Sequence, residues 1–238
     1  MFLVIDNLLS MNPLEPVFWM LCVFFAVKAI KSEGFWKFSP SANWIFFGFF
    51  AGLGLMNKHS MLFFGAAIFL GLLLTNAKKI LTDKYFWLGG AIALLIFSPN
   101  IIWQIQNDFA TLELLQNVQK TGKNVVLSPL GFIVSQILGH NPFSFFVWLA
   151  GVWFLLFNSN GKRFRFLGLS YIFLLVLMIF LKAKDYYLAP IYPMLFAAGG
   201  IWWELIAEYY GKLRFFKYVL PTLIIALTLL VLPIVLPV

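Results

Sequence analysis

Eight apolar runs recur along this chain, each near the length that carries a helix across a bilayer. They fall at about 15–30, 40–56, 60–75, 85–103, 139–157, 165–181, 187–206 and 217–237. A bilayer core needs roughly 20 apolar residues in helical form. Within it, only helices and closed barrels satisfy their own backbone groups. The pattern predicts an all-α, polytopic transmembrane helix bundle of about eight spans. Composition agrees: 62% of the 238 residues are hydrophobic and 11% are charged, against roughly 25% charged in soluble domains. Pro16, Pro142 and Pro190 sit near expected helix starts, where a missing N–H does little harm. Pro99 is expected to kink or end the fourth span.

The charges order these runs. The loops near 28–39, 76–84, 158–165 and 207–217 hold Lys28, Lys31, Lys37; Lys78, Lys79, Lys84; Lys162, Arg163, Arg165; and Lys212, Arg214, Lys217. That is 12 of the 17 Lys and Arg. The positive-inside rule makes this set cytoplasmic and leaves both termini external. The other side holds Lys58, Lys120, Lys123, Lys182 and Lys184. Nucleic acid is excluded as a partner despite a net charge of +8, because the cations sit in short loops and form no stripe. The single cysteine, Cys22, excludes an intrachain disulfide framework and a cysteine-based zinc site. Residues 104–138 form the longest loop, expected to hold interfacial helices rather than a span: Leu112, Leu115 and Val118 recur at helical spacing, and 126–138 is too short to cross. No internal repeat or soluble domain is evident, so residues 1–238 read as a single transmembrane domain.

Ionisable groups at membrane depth are costly and are functional candidates by default. Lys58 and His59 occupy a tight turn in "GLGLMNKHSMLFF". A lysine there suits an anionic head group, or simply snorkels to the interface. His59 and His140 are the only histidines and make a poor metal site. Glu15 opens the first span between two prolines, either as a cation or base site or as an acid favoured by the helix dipole. Trp103, Asn107 and Asp108 combine an aromatic face, an amide and a carboxylate, which suits carbohydrate as well as an aromatic interface belt. "KAKDYYLAPIYP" crowds Lys182, Lys184, Asp185, Tyr186, Tyr187 and Tyr192 between two apolar runs. Lysine binds phosphate as a point charge, and the same residues also fit an interfacial belt.

Four stretches in order, "GLGLMNKHSMLFF", "SPNIIWQIQNDFATL", "SPLGFIVSQILGHNPF" and "KAKDYYLAPIYPMLFAAGG", resemble the membrane glycosyltransferases of the protein mannosyltransferase and lipid A aminoarabinose transferase type, in the glycosyltransferase C superfamily (glycosyltransferase family 39-like). The resemblance spans most of residues 10–205. It implies a polyprenyl-phosphate-linked sugar donor, an acceptor glycan, lipid or protein, and an active site at the external face of a bacterial plasma membrane. It places donor-phosphate binding on Lys58, Lys184, Tyr186 and Tyr187 and the family's span-opening acid at Glu15; Glu15 and, from the residue reading, Asp108 are the candidate catalytic carboxylates. His59, Trp103 and Asn107 then contact substrate. A divalent cation is left open. Glu15 stands where aspartate is commoner in that family, and the family's external loop after a first helix has no counterpart. The expectation is a C-terminal portion of a longer membrane domain. A transporter or flippase for a lipid-linked sugar, or a non-catalytic membrane subunit, is the alternative.

Overall fold

The structure is a computed structural model and describes residues 10–36, 38–120 and 126–235. Among them are ten α-helices and no strand: α1 (Glu15–Lys31), α2 (Asn43–Asn57), α3 (Ser60–Leu73), α4 (Lys84–Gln106), α5 (Ala110–Lys120), α6 (Pro129–Gly139), α7 (Phe145–Phe157), α8 (Arg165–Phe180), α9 (Tyr192–Tyr209) and α10 (Phe216–Val235). The fold is an all-α helical bundle. Each of the eight apolar runs is one of these helices; α5 and α6 are two short helices in the long loop.

Most of these helices are shorter than the runs they fill; α1 and α4 slightly exceed theirs. α2 has 15 residues, about 22 Å of helix against a hydrocarbon core of roughly 30 Å. Among the described residues, two helical stretches suffice by length and composition to cross a membrane, Lys84–Gln106 and Lys162–Phe180. Two bent pairs raise this to four: Ser60–Leu73 with Asn76–Thr82, and Pro129–Gly139 with Pro142–Phe157. Four α-helices have a 3-10 turn at their entry, at Pro40–Ala42, Pro142–Ser144, Lys162–Phe164 and Asp185–Ile191, which carries the chain up to the start of α2, α7, α8 and α9.

Prolines explain the differences in detail. The expected span 139–157 starts late, at Pro142, and α6 before it meets this helix at 102°. Pro142 disfavours helical backbone in the residue before it, and Asn141 takes φ 73°. Likewise the helix expected from 187 starts at Tyr192, after a 3-10 turn containing Pro190. Pro99 does not end α4, which continues to Gln106. A proline removes the hydrogen bond to the carbonyl four residues back; here the Ser98 hydroxyl donates to the Leu95 carbonyl at 2.8 Å, so that carbonyl keeps a partner.

Close backbone approach fixes α3 on α8, where a Cβ on Gly71 would overlap the Phe166 carbonyl oxygen, and two further crossings. At one, α2 meets α4: a Cβ on Gly48 would overlap the Gly89 carbonyl oxygen, and one on Gly89 would overlap that of Trp44. At the other, α7 meets α9, where Gly151 faces the Leu195 carbonyl and Gly199 faces that of Val147. Small residues are what lets helices pack this closely where no hydrophobic effect drives them together. α3 runs along α8 and joins these two groups. The core between them is apolar and aromatic, with Trp19, Phe64, Phe166, Leu174 and Tyr192 almost fully enclosed.

Candidate functional site

The bundle has one end rich in acid, lysine and tyrosine, assembled from three separate pieces of chain. The first is the start of α1. Glu15 is its first residue, followed by Pro16, and is only 4% exposed. The second is the turn between α2 and α3. Gly54 to Asn57 close α2, Lys58 adopts extended backbone, and α3 restarts at Ser60. The third is the 3-10 turn Asp185–Ile191, entered through Lys182. That residue takes left-handed backbone (φ 51°) while Ala183 N–H reaches the Met178 carbonyl at 2.9 Å. This is the bonding of a Schellman helix stop.

These pieces meet at Lys58. Its ammonium donates to Glu15 Oε2 at 2.6 Å and to Asn12 Oδ1 at 3.0 Å. The same ammonium lies 4.6 Å from the Tyr187 ring centroid and 5.7 Å from that of Tyr186. The Lys184 ammonium also lies near Tyr186, 5.8 Å from the ring centroid. The second Glu15 oxygen accepts the hydroxyl of Ser60. A buried carboxylate is therefore satisfied at both oxygens, and a nearly buried ammonium is shared among a carboxylate, an amide oxygen and two aromatic faces. Burial pushes the Tyr186 phenol above its usual value, partly offset by Tyr187, so it remains a neutral hydroxyl donor near neutral pH.

The remaining sequence candidates lie apart. His59 Nε2 pairs with Asn100 Oδ1 at 3.2 Å and its ring packs on the edge of Phe97, both on α4. Trp103 is 49% exposed. Asn107 is exposed and donates back to the Trp103 carbonyl. Asp108 is exposed, with left-handed backbone (φ 49°), at the stop of α4. Among the described residues, none of these four makes a hydrogen bond or ion pair to the Lys58 cluster. Nor does any group of three or more His, Cys, Asp or Glu among them offer a metal site.

Sequence reasoning missed Asn12, Ser60 and Gln136. Ser60 carries a faint signal, two residues past Lys58 at a helix start. Gln136 has none, because an amide in the apolar α6 reads as an exposed interfacial residue. It is instead 1% exposed. Its Nε2 donates to the Asp185 carbonyl at 3.0 Å and its Oε1 accepts the Tyr192 hydroxyl at 3.2 Å. His140 stacks on that tyrosine with ring centroids 3.8 Å apart. α6 is thus tied through one amide to both ends of the turn bearing Tyr186 and Tyr187.

Part of this cluster lies in a segment similar to known proteins. Residues 2–103 match the family model of the dolichyl-phosphate-mannose-protein mannosyltransferases. The match bears out the resemblance to membrane glycosyltransferases and, with the apolar helices, supports an integral membrane protein of glycosyltransferase type. It includes Glu15, Lys58, His59 and Trp103; Asn107, Asp108, Lys184, Tyr186 and Tyr187 lie beyond it. No curated protein and no solved structure matches the chain significantly.

Proposed function

We propose that this protein transfers a sugar from a polyprenyl-phosphate-linked donor to an acceptor hydroxyl at the external face of a bacterial plasma membrane. The observation that carries this reading is the Lys58 cluster. It gathers two ammonium groups and tyrosine rings at a helix-bundle end, and its Lys58 and Glu15 fall in the segment that matches mannosyltransferases. In the reaction, an acceptor oxygen bonds to the anomeric carbon as the bond from that carbon to the phosphate oxygen breaks. Polyprenyl phosphate leaves, and the acceptor's proton passes to a carboxylate. Lys58, Lys184 and the Tyr186 hydroxyl stabilise the charge on the departing phosphate.

The two carboxylates divide the remaining work. Glu15 spends its oxygens on Lys58 and Ser60, so in this reading it holds the ammonium in place and takes a proton only when Lys58 turns to phosphate. Asp108 is exposed and serves the acceptor side with Trp103, Asn107 and His59. A divalent cation bridging the donor phosphate is compatible with the chemistry, and chelation tests it.

The decisive variant is Lys184→Gln, because Lys184 forms no ion pair among the described residues and its loss strands no buried acid. It should weaken binding of polyprenyl-phosphate sugar by about 10-fold, the worth of one charge-assisted hydrogen bond, while thermal unfolding in detergent stays unchanged. Lys184→Arg should retain binding. If Lys184→Gln binds donor as the parent does, the phosphate role fails.

A further inference from the structure

A second cationic recess lies at the opposite end of the bundle, and the transfer reaction makes no use of it. It is a cavity of about 750 Å³ between the end of α1, the start of α2 and the segments 75–83 and 159–163. Its floor is apolar, formed by Ala29, Ile30, Trp44 and Ile80, and its rim carries Lys79, Lys162 and Arg163. Hydroxyls of Ser32, Ser41, Thr75 and Ser159 and the amide of Asn76 line the wall. Three cations thus come from two separate loops to one concavity, above an apolar floor. Among the described residues neither Lys79 nor Lys162 has an acidic partner. Arg163 uses one Nη2 donor on the Ile30 carbonyl, which also covers the negative end of α1.

The acids nearby are already engaged. Asp83, the one carboxylate in the lining, accepts from Tyr85 N–H at 2.9 Å and caps α4. Glu33 lies close enough to feel Arg163, but pairs with Lys31 at 2.5 Å and with Lys28 at 4.0 Å. The start of α2 also faces this region, and its positive end favours an anion; the start of α4 is already answered by Asp83. Cationic pockets between membrane helices on the lysine-rich side hold anionic head groups.

We propose that this recess binds a phosphate group, supplied by the phosphodiester of an anionic phospholipid whose first methylenes rest on the apolar floor. The proposal stands independently of the transfer reaction. It places two anion sites at the two ends of one bundle, one for a reacting lipid and one for a resident lipid.

The test uses the purified full chain and native mass spectrometry with defined lipids. Phosphatidylglycerol should be retained at least about 10-fold better than phosphatidylcholine, given that each lysine near an anionic surface contributes about 1 kcal/mol. Lys79→Gln with Lys162→Gln should abolish that preference. Both side chains are exposed and without an acidic partner among the described residues, so the fold is left intact, and Arg163 keeps its bond to Ile30. Lys212→Gln, at the same end but outside the recess, should leave the preference unchanged. Thermal unfolding with added inorganic phosphate separates the sources. Stabilisation that depends on Lys79 and Lys162, with no preference between the two lipids, assigns the site to a free anion. Equal retention of both lipids together with no phosphate effect overturns the proposal, as does an equal loss in Lys212→Gln.

Discussion

Removing the Lys58 ammonium leaves Glu15 enclosed, with a serine hydroxyl as its remaining partner among the described residues. Breaking a buried pair at one member costs about 3–5 kcal/mol, whereas replacing both members with neutral groups is often close to neutral. Lys58→Met should therefore unfold at clearly lower temperature in detergent. Lys58→Met combined with Glu15→Gln should recover most of the loss. Strict additivity of the two single changes would show that the pair carries no coupling. The same argument governs how activity data on this residue are read: a dead Lys58 variant reports on the fold until the double variant is measured. Lys182 is a different case. It is exposed and its left-handed backbone costs a non-glycine residue about 1 kcal/mol, so its place is set by helix termination rather than by ligand chemistry.

The two glycine crossings dominate at the level of elements. Gly48→Ala drives a methyl into the Gly89 carbonyl, backbone that cannot swing aside, and should cost about 1–3 kcal/mol, as overpacking does. Gly65→Ala meets nothing within 4 Å on α3 and should be neutral or stabilising by about 0.5–1 kcal/mol, from the better helix propensity. Paired unfolding curves check the contrast; equal effects would mean the crossing is looser than described. Helix existence was legible from apolar run length, since every run became a helix. Helix ends were less so. Runs of hydrophobic residues do not reveal that Asn141 turns left-handed before Pro142, or that Ser98 supplies the hydrogen bond that lets α4 pass Pro99. Those outcomes depend on single side-chain bonds rather than on periodicity.

Across the whole molecule, the lysine-rich loops and the Lys58 cluster lie at opposite ends. Ser159→Cys and Glu113→Cys should therefore react with a membrane-impermeant thiol reagent from opposite sides of the membrane. The native Cys22 is fully buried and leaves the background low. Labelling of both from one side would overturn the expected topology. Part of the site was legible in the same way: Lys58, Lys184, Tyr186 and Tyr187 stood out because charge at a span end is costly. Their mutual arrangement was not, since Asn12, Ser60 and Gln136 act through contacts made across 45 to 56 positions of sequence. The glycine crossings carry one more implication. α2 and α4 are locked to each other, α7 and α9 are locked to each other, and Gly71 against the Phe166 carbonyl, with the Ser170 hydroxyl on the Ala67 carbonyl, fastens α3 to α8 between them. Glu15 and Lys58 sit with the first pair, Tyr186, Tyr187 and Lys184 with the second. Lys58 resting on the Tyr187 ring is therefore a second fastening between groups already pinned together, one near the end of α3 and the other at its start.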